Sequence, residues 1–106
     1  MSQFRIEDLA AVVASRAASG DPGSYTAKLA ASGAAHCARK FGEEAVEATV
    51  AAVAGDRAAL RAEAADVIYH LLVLLHVCEV PFDAVAAELA RRTAETGLQE
   101  KARRGV

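Results

Sequence analysis

The chain has 106 residues, the length of one domain, with 54% hydrophobic but only 5% aromatic residues. About one residue in four is Ala, the best helix former, against 7 Gly and 2 Pro, which disfavours a β-sandwich, a disordered chain or a disulfide scaffold. The net charge of -2 disfavours nucleic-acid binding led by electrostatics, because such a protein would be basic.

Phe4, Ile6, Leu9, Val12 and Val13 recur at near-helical spacing and predict a first helix from Ile6 to Ala18. Ser19-Gly20-Asp21-Pro22-Gly23 then breaks the chain. Ser24 caps a short helix, Tyr25 to Ser32, which Gly33 ends. Ala34 to Ala54 reads as a long helix that Gly42 weakens without ending. Gly55-Asp56 is a stop followed by a restart, with Gly closing one helix and Asp capping the next. Arg57 to Glu79 is the second long helix. Pro81 forces a turn, and Phe82 to Thr96 forms a last helix closed by Gly97. The tail from Leu98 to Val106 is expected to fray. The fold class is all-α: one domain over residues 1–106 in which two long helices form an antiparallel hairpin at the heart of a four-helix-bundle-type core.

Cys37 and Cys78 are too few and too far apart for a zinc site and read as reduced, buried thiols. Met1 to Glu7 is charged and short of apolar residues, so no signal peptide is expected. Val67 to Val80 is the most apolar stretch, but it holds His70, His76 and Glu79 and is too short to span a bilayer. The expected setting is the cytoplasm, with no membrane and no nucleic acid as partner.

The acids carry the chemistry. Glu43, Glu44 and Glu47 form one cluster, and Glu63 and Asp66 a second. Glu44 and Glu47 share a helix face, as do Glu63 and Asp66. Glu47 lies eight residues before Gly55 and Glu63 eight after; Glu44 lies eleven before and Asp66 eleven after. In an antiparallel hairpin, Glu47 then faces Glu63 and Glu44 faces Asp66. Like charges held this close among Ala45, Val46, Ala48, Ala62, Ala64, Ala65 and Val67 repel, unless something cancels them. Four carboxylates suit a hard divalent cation, Mg²⁺ or alternatively Mn²⁺. The competing reading is a solvated acidic face, with Arg39 four residues before Glu43 and Lys40 four before Glu44. A di-iron site would want Glu-x-x-His on each hairpin, which the chain lacks. His70, one turn after Asp66, reads as a histidine just behind the ligands or in the core, and His36 and His76 as structural or exposed.

EExxE followed by ExxD on the next helix resembles the MazG-like all-α nucleotide pyrophosphohydrolases. The strings Ser24-Tyr25-Thr26-Ala27-Lys28-Leu29, Lys40-Phe41-Gly42-Glu43-Glu44-Ala45-Val46-Glu47, Asp66-Val67-Ile68-Tyr69-His70 and Glu88-Leu89-Ala90-Arg91-Arg92 narrow the resemblance to the phosphoribosyl-ATP pyrophosphatases of histidine biosynthesis. Gly97-Leu98-Gln99-Glu100-Lys101 also fits. The resemblance implies Mg²⁺-dependent hydrolysis of phosphoribosyl-ATP, a nucleotide, to phosphoribosyl-AMP and pyrophosphate. It implies Glu44, Glu47, Glu63 and Asp66 as metal ligands and Glu43 as the residue that holds or deprotonates the attacking water. Lys28 and Lys40 become candidates for phosphate contact. Arg91, Arg92, Lys101 and Arg104 become candidates for the 5′-phosphate of the ribosyl group, reached from another subunit. The resemblance also implies a homodimer, with pairing beyond the dimer left open. The apolar run Leu71-Leu72-Val73-Leu74-Leu75 independently asks for burial on more than one side. Two rival functions remain at this point: a housekeeping pyrophosphatase acting on dCTP, dUTP or damaged nucleotides, and a non-catalytic helical dimer module.

Overall fold

The structure, a computed structural model, describes residues 3–94 and 96–105. Met1, Ser2, Val106 and residue 95 of the expected last helix lie outside the described residues. The described chain is helical throughout, in the order α1 (Ile6–Ala18), α2 (Tyr25–Ala31), α3 (Ala34–Val53), α4 (Arg57–Val77), α5 (Phe82–Thr93) and α6 (Gly97–Arg104). The all-α class is as the Ala-rich composition predicts.

The helix ends show why the chain divides as it does. Ser24 Oγ accepts from the Ala27 amide and caps α2, and Asp56 Oδ1 accepts from the Ala59 amide and caps α4. Gly55 stands at φ 74°, where a side chain would be strained. Its amide reaches Ala52 O at 3.1 Å, and the Asp56 amide reaches Ala51 O at 3.1 Å. Those two bonds make a Schellman closure of α3, and the same Asp56 opens α4. The far end of α4 closes in the same way without a glycine. The Glu79 and Val80 amides donate to His76 O and Leu75 O, and Glu79 takes φ 61°. A non-glycine residue there costs about 1–2 kcal/mol. This closure ends α4 at Val77, two residues before the expected Glu79, and α5 leaves at 115° to α4.

The largest departure from expectation is at the C-terminus. The last predicted helix stops at Thr93, and residues expected to fray form α6. Thr96 Oγ1 accepts from the Gln99 amide while Gln99 Oε1 accepts from the Thr96 amide. This reciprocal pair is a capping box, so Gly97 opens a helix instead of closing one.

The α3–α4 hairpin is the frame, and α1 and α2 pack across it. Val13, Leu29, Cys37, Leu72 and Val73 form the buried core, with Ile6, Leu9, Tyr69 and Phe82 against it. Each such side chain contributes roughly 1.5–3 kcal/mol by leaving water. Both cysteines are free. Cys37 donates to Leu29 O at 3.1 Å, and burial, with Cys78 adding to it, pushes its thiol up. Cys78, expected to be buried, is exposed because it sits at the α4 C-cap where the chain turns out. Among the described residues no single helix is long and apolar enough to cross a membrane.

Candidate active site

The mirror spacing about Gly55 brings the acids together. One carboxylate oxygen from each of Glu44, Glu63 and Asp66 lies within 4.8 Å of the others. Glu63 also lies beside the carboxylate of Glu47. Glu63 is therefore the centre of the group, with acids of α3 and α4 around it. Desolvation, then the neighbouring carboxylates of Glu47 and Glu44, push its carboxyl up to about 7. Its Oε2 is shielded from solvent and has no hydrogen-bond partner among the described residues. Buried carboxylate oxygens are normally hydrogen-bonded. A hard cation satisfies such an oxygen, and the all-carboxylate donor set suits Mg²⁺ or Mn²⁺, so the residues present fit a divalent metal.

Glu43 points to other partners. Its Oε1 lies 3.3 Å from Lys40 Nζ, and its Oε2 lies 4.0 Å from Arg39 Nε. The hydrogen bond and charge of Glu43 raise Lys40 above its ordinary value. The competing solvated-face reading would pair Lys40 with Glu44; Lys40 pairs with Glu43.

Lys28 and Lys40 come together on one groove of about 490 Å³ between α2 and α3, shared with Tyr25, Ser32, His36, Arg39 and Glu43. Sequence reasoning weighed Arg39 only as a partner of Glu43 and His36 only as structural or exposed, and named neither as a groove residue. The signal available was their spacing, since His36, Arg39 and Lys40 fall on adjacent turns of α3.

His70 is buried against aromatic rings of α2 and α4. Its ring meets Tyr69 edge-on at 5.1 Å and Tyr25 edge-on at 6.4 Å. Tyr69 OH and Thr26 Oγ1 share a hydrogen bond of 2.6 Å, which ties α2 to α4 one turn beyond Asp66. Tyr25 is 54% exposed.

Arg91 and Arg92 are not brought to the acids or to the groove. They clasp Glu88 on α5, with Nε–Oε distances of 3.1 and 2.9 Å, and hold its carboxyl down to about 2. Lys101 and Arg104 stand on α6, likewise outside both clusters.

The family model for phosphoribosyl-ATP pyrophosphohydrolase matches residues 6–93. A protein of Methylobacterium radiotolerans, named phosphoribosyl-ATP pyrophosphatase, is 59% identical over 104 residues, covering 98% of this chain and 97% of that one. Proteins of the same name from Agrobacterium fabrum and Nitrobacter winogradskyi are 55% and 57% identical over 98% of this chain, covering 97% and 90% of their own lengths. With hairpin, acids and near-full-length identity in agreement, the chain belongs to the phosphoribosyl-ATP pyrophosphohydrolase family.

Proposed function

We propose that the protein hydrolyses phosphoribosyl-ATP to phosphoribosyl-AMP and pyrophosphate, the second step of histidine biosynthesis, in the cytoplasm and with Mg²⁺ as its cation. Family membership supports the reaction. The single observation that carries the site is the shielded, partnerless Oε2 of Glu63 at the centre of acids from both hairpin arms.

In this reading Glu44, Glu47, Glu63 and Asp66 hold the cation. What the cation supplies when bound is neutralisation of charge on the phosphate oxygens. The bond that breaks joins the bridging oxygen to phosphorus between the α and β phosphoryl groups. Water supplies the new P–O bond, pyrophosphate leaves with the electron pair, and Glu43 accepts the water's proton. For that role Glu43 gives up its pairs with Lys40 and Arg39. Lys28 and Lys40 meet the phosphates, and Arg91, Arg92, Lys101 and Arg104 meet the ribosyl 5′-phosphate from a second subunit.

The subunit's shape supports a homodimer. Its accessible surface is 7314 Å², against about 5600 Å² for a monomer of this mass. Its radius of gyration is 16.0 Å, against about 13 Å for a compact chain of this length. Val46, Val50 and Val53 make one stripe along α3 and are 62%, 62% and 85% exposed. A second copy placed over this stripe covers part of that excess.

The purified protein should release pyrophosphate from phosphoribosyl-ATP in Mg²⁺ and lose that activity in excess chelator. Preference for dCTP or dUTP over phosphoribosyl-ATP in a substrate panel would overturn the assignment. Cation binding requires Glu63 as the carboxylate, so Mg²⁺ affinity should fall as the pH drops below about 7. Calorimetry at pH values either side of that point should show more proton release per Mg²⁺ bound on the acid side.

A further inference from the structure

We infer that the groove between α2 and α3 is the seat of the leaving pyrophosphate, and that Arg39, oriented by His36, is a residue that grips it. The inference rests on the proposed reaction and adds which end of the substrate lies where.

The local charge is the first support. Lys28, Arg39 and Lys40 line the groove against one carboxylate, Glu43, in a chain whose net charge is -2. A cation-rich concavity on an acidic protein attracts anions. Glu43 already occupies the position of one, 3.3 Å from Lys40 and 4.0 Å from Arg39. An incoming phosphate has the same chemistry with more oxygens, and by taking Lys40 and Arg39 it releases Glu43 for the proton.

Orientation is the second. Arg39 Nη2 stands 3.0 Å from His36 Nδ1. Arginine is always a donor, so Nδ1 accepts and the imidazole holds one arm of the guanidinium fork. A guanidinium held on one side offers its remaining N–H groups in a fixed direction, which suits phosphate oxygens.

Distance chooses between the two anionic ends of the substrate. Glu43, at the groove's edge, is adjacent to Glu44, and Lys40 lies one turn earlier, about 6 Å along the axis. Phosphates that continue directly from the group at the carboxylates reach Lys40 within that span and Arg39 one residue further. The ribosyl 5′-phosphate is separated from the cleaved bond by the whole adenosine and has no such continuity.

Inorganic pyrophosphate and ribose 5-phosphate, titrated separately by calorimetry into the full chain in Mg²⁺, test this. Arg39→Ala should weaken pyrophosphate binding about tenfold and leave ribose 5-phosphate unchanged. Arg39→Lys should recover part of the loss. The Arg39 side chain is 66% exposed, so the variant keeps the fold, which an unchanged melting curve verifies. Equal pyrophosphate affinity in both proteins, no pyrophosphate binding by the parent, or a loss confined to ribose 5-phosphate would each overturn the inference. Turnover of phosphoribosyl-ATP is scored apart from these titrations. Turnover with Arg39-independent binding overturns the groove alone. Arg39-dependent binding without turnover keeps the groove as a pyrophosphate site but overturns the reaction, and with it the groove's role as the seat of a leaving group.

Discussion

Replacing Glu63 by Gln is expected to raise the melting temperature of the metal-free protein by a few degrees while cutting pyrophosphate release to about a hundredth or less. The two effects have opposite signs because one group causes both. Without a cation, the Glu63 carboxylate sits desolvated between Glu44 and Glu47 with one oxygen unpartnered. Gln removes the charge, and its amide nitrogen donates to the neighbouring carboxylates. The stability gain depends on pH in a defined way. Below about 4.5, Glu63 is protonated in the folded and unfolded chains alike, and the substitution removes no charge. Between 4.5 and about 7 the unfolded chain gives up its proton first, so the parent loses stability as pH rises, and above 7 the loss is complete. The difference in melting temperature should therefore grow across that window and then level. Mg²⁺ should raise the parent's melting temperature and leave the variant's almost unmoved. A variant that melts below the parent in chelator at pH 8, or that retains turnover, would remove Glu63 from the cation seat.

Placing a charge on the α3 stripe should separate the subunits. Val50→Glu puts a carboxylate midway between Val46 and Val53, on a surface that a second copy is proposed to cover. Burying an unpaired charge there costs several kcal/mol, enough to weaken association about a hundredfold or more. Light scattering after size exclusion should show a dimer for the parent and a monomer for the variant at micromolar concentration. The variant should also lose activity, since the arginines of α5 are assigned to the opposite subunit's substrate. The acids of its own hairpin stay in place, so a melt of the variant that still responds to Mg²⁺ separates lost pairing from a lost cation seat. A monomeric parent, or a dimeric variant, would overturn the dimer.

The hairpin was legible in the sequence because its signals are local. Gly55 and Asp56 each act within a few residues, and the period of the helix carries their placement outward to Glu44, Glu47, Glu63 and Asp66. The frayed tail was a misreading of a signal equally local: Thr96 and Gln99 have capping-box spacing, and Gly97 was weighed only as a terminator. The end of α4 was a different case. Glu79 adopts a conformation that residue type disfavours, held by two backbone bonds to Leu75 and His76, so nothing in its side chain announced the stop. The groove was beyond single-helix periodicity because it joins two helices. Lys28 and Tyr25 come from α2, and only the packing of α2 on the hairpin shows that they meet His36 and Arg39.

The link between the long helices is only Ala54, Gly55 and Asp56, and Asp56 belongs to the closure of one helix and the cap of the other. Surface loops usually change length freely over evolution. This one works as a gauge. Drawing one residue from either helix into the link would step that helix's side chains by about 1.5 Å and about 100°, enough to turn a carboxylate out of the group. The link touches neither the acids nor the groove, yet its length decides whether the carboxylates of α3 and α4 meet. Insertions and deletions should therefore be far rarer here than in the exposed Ser19–Gly23 loop of the same molecule.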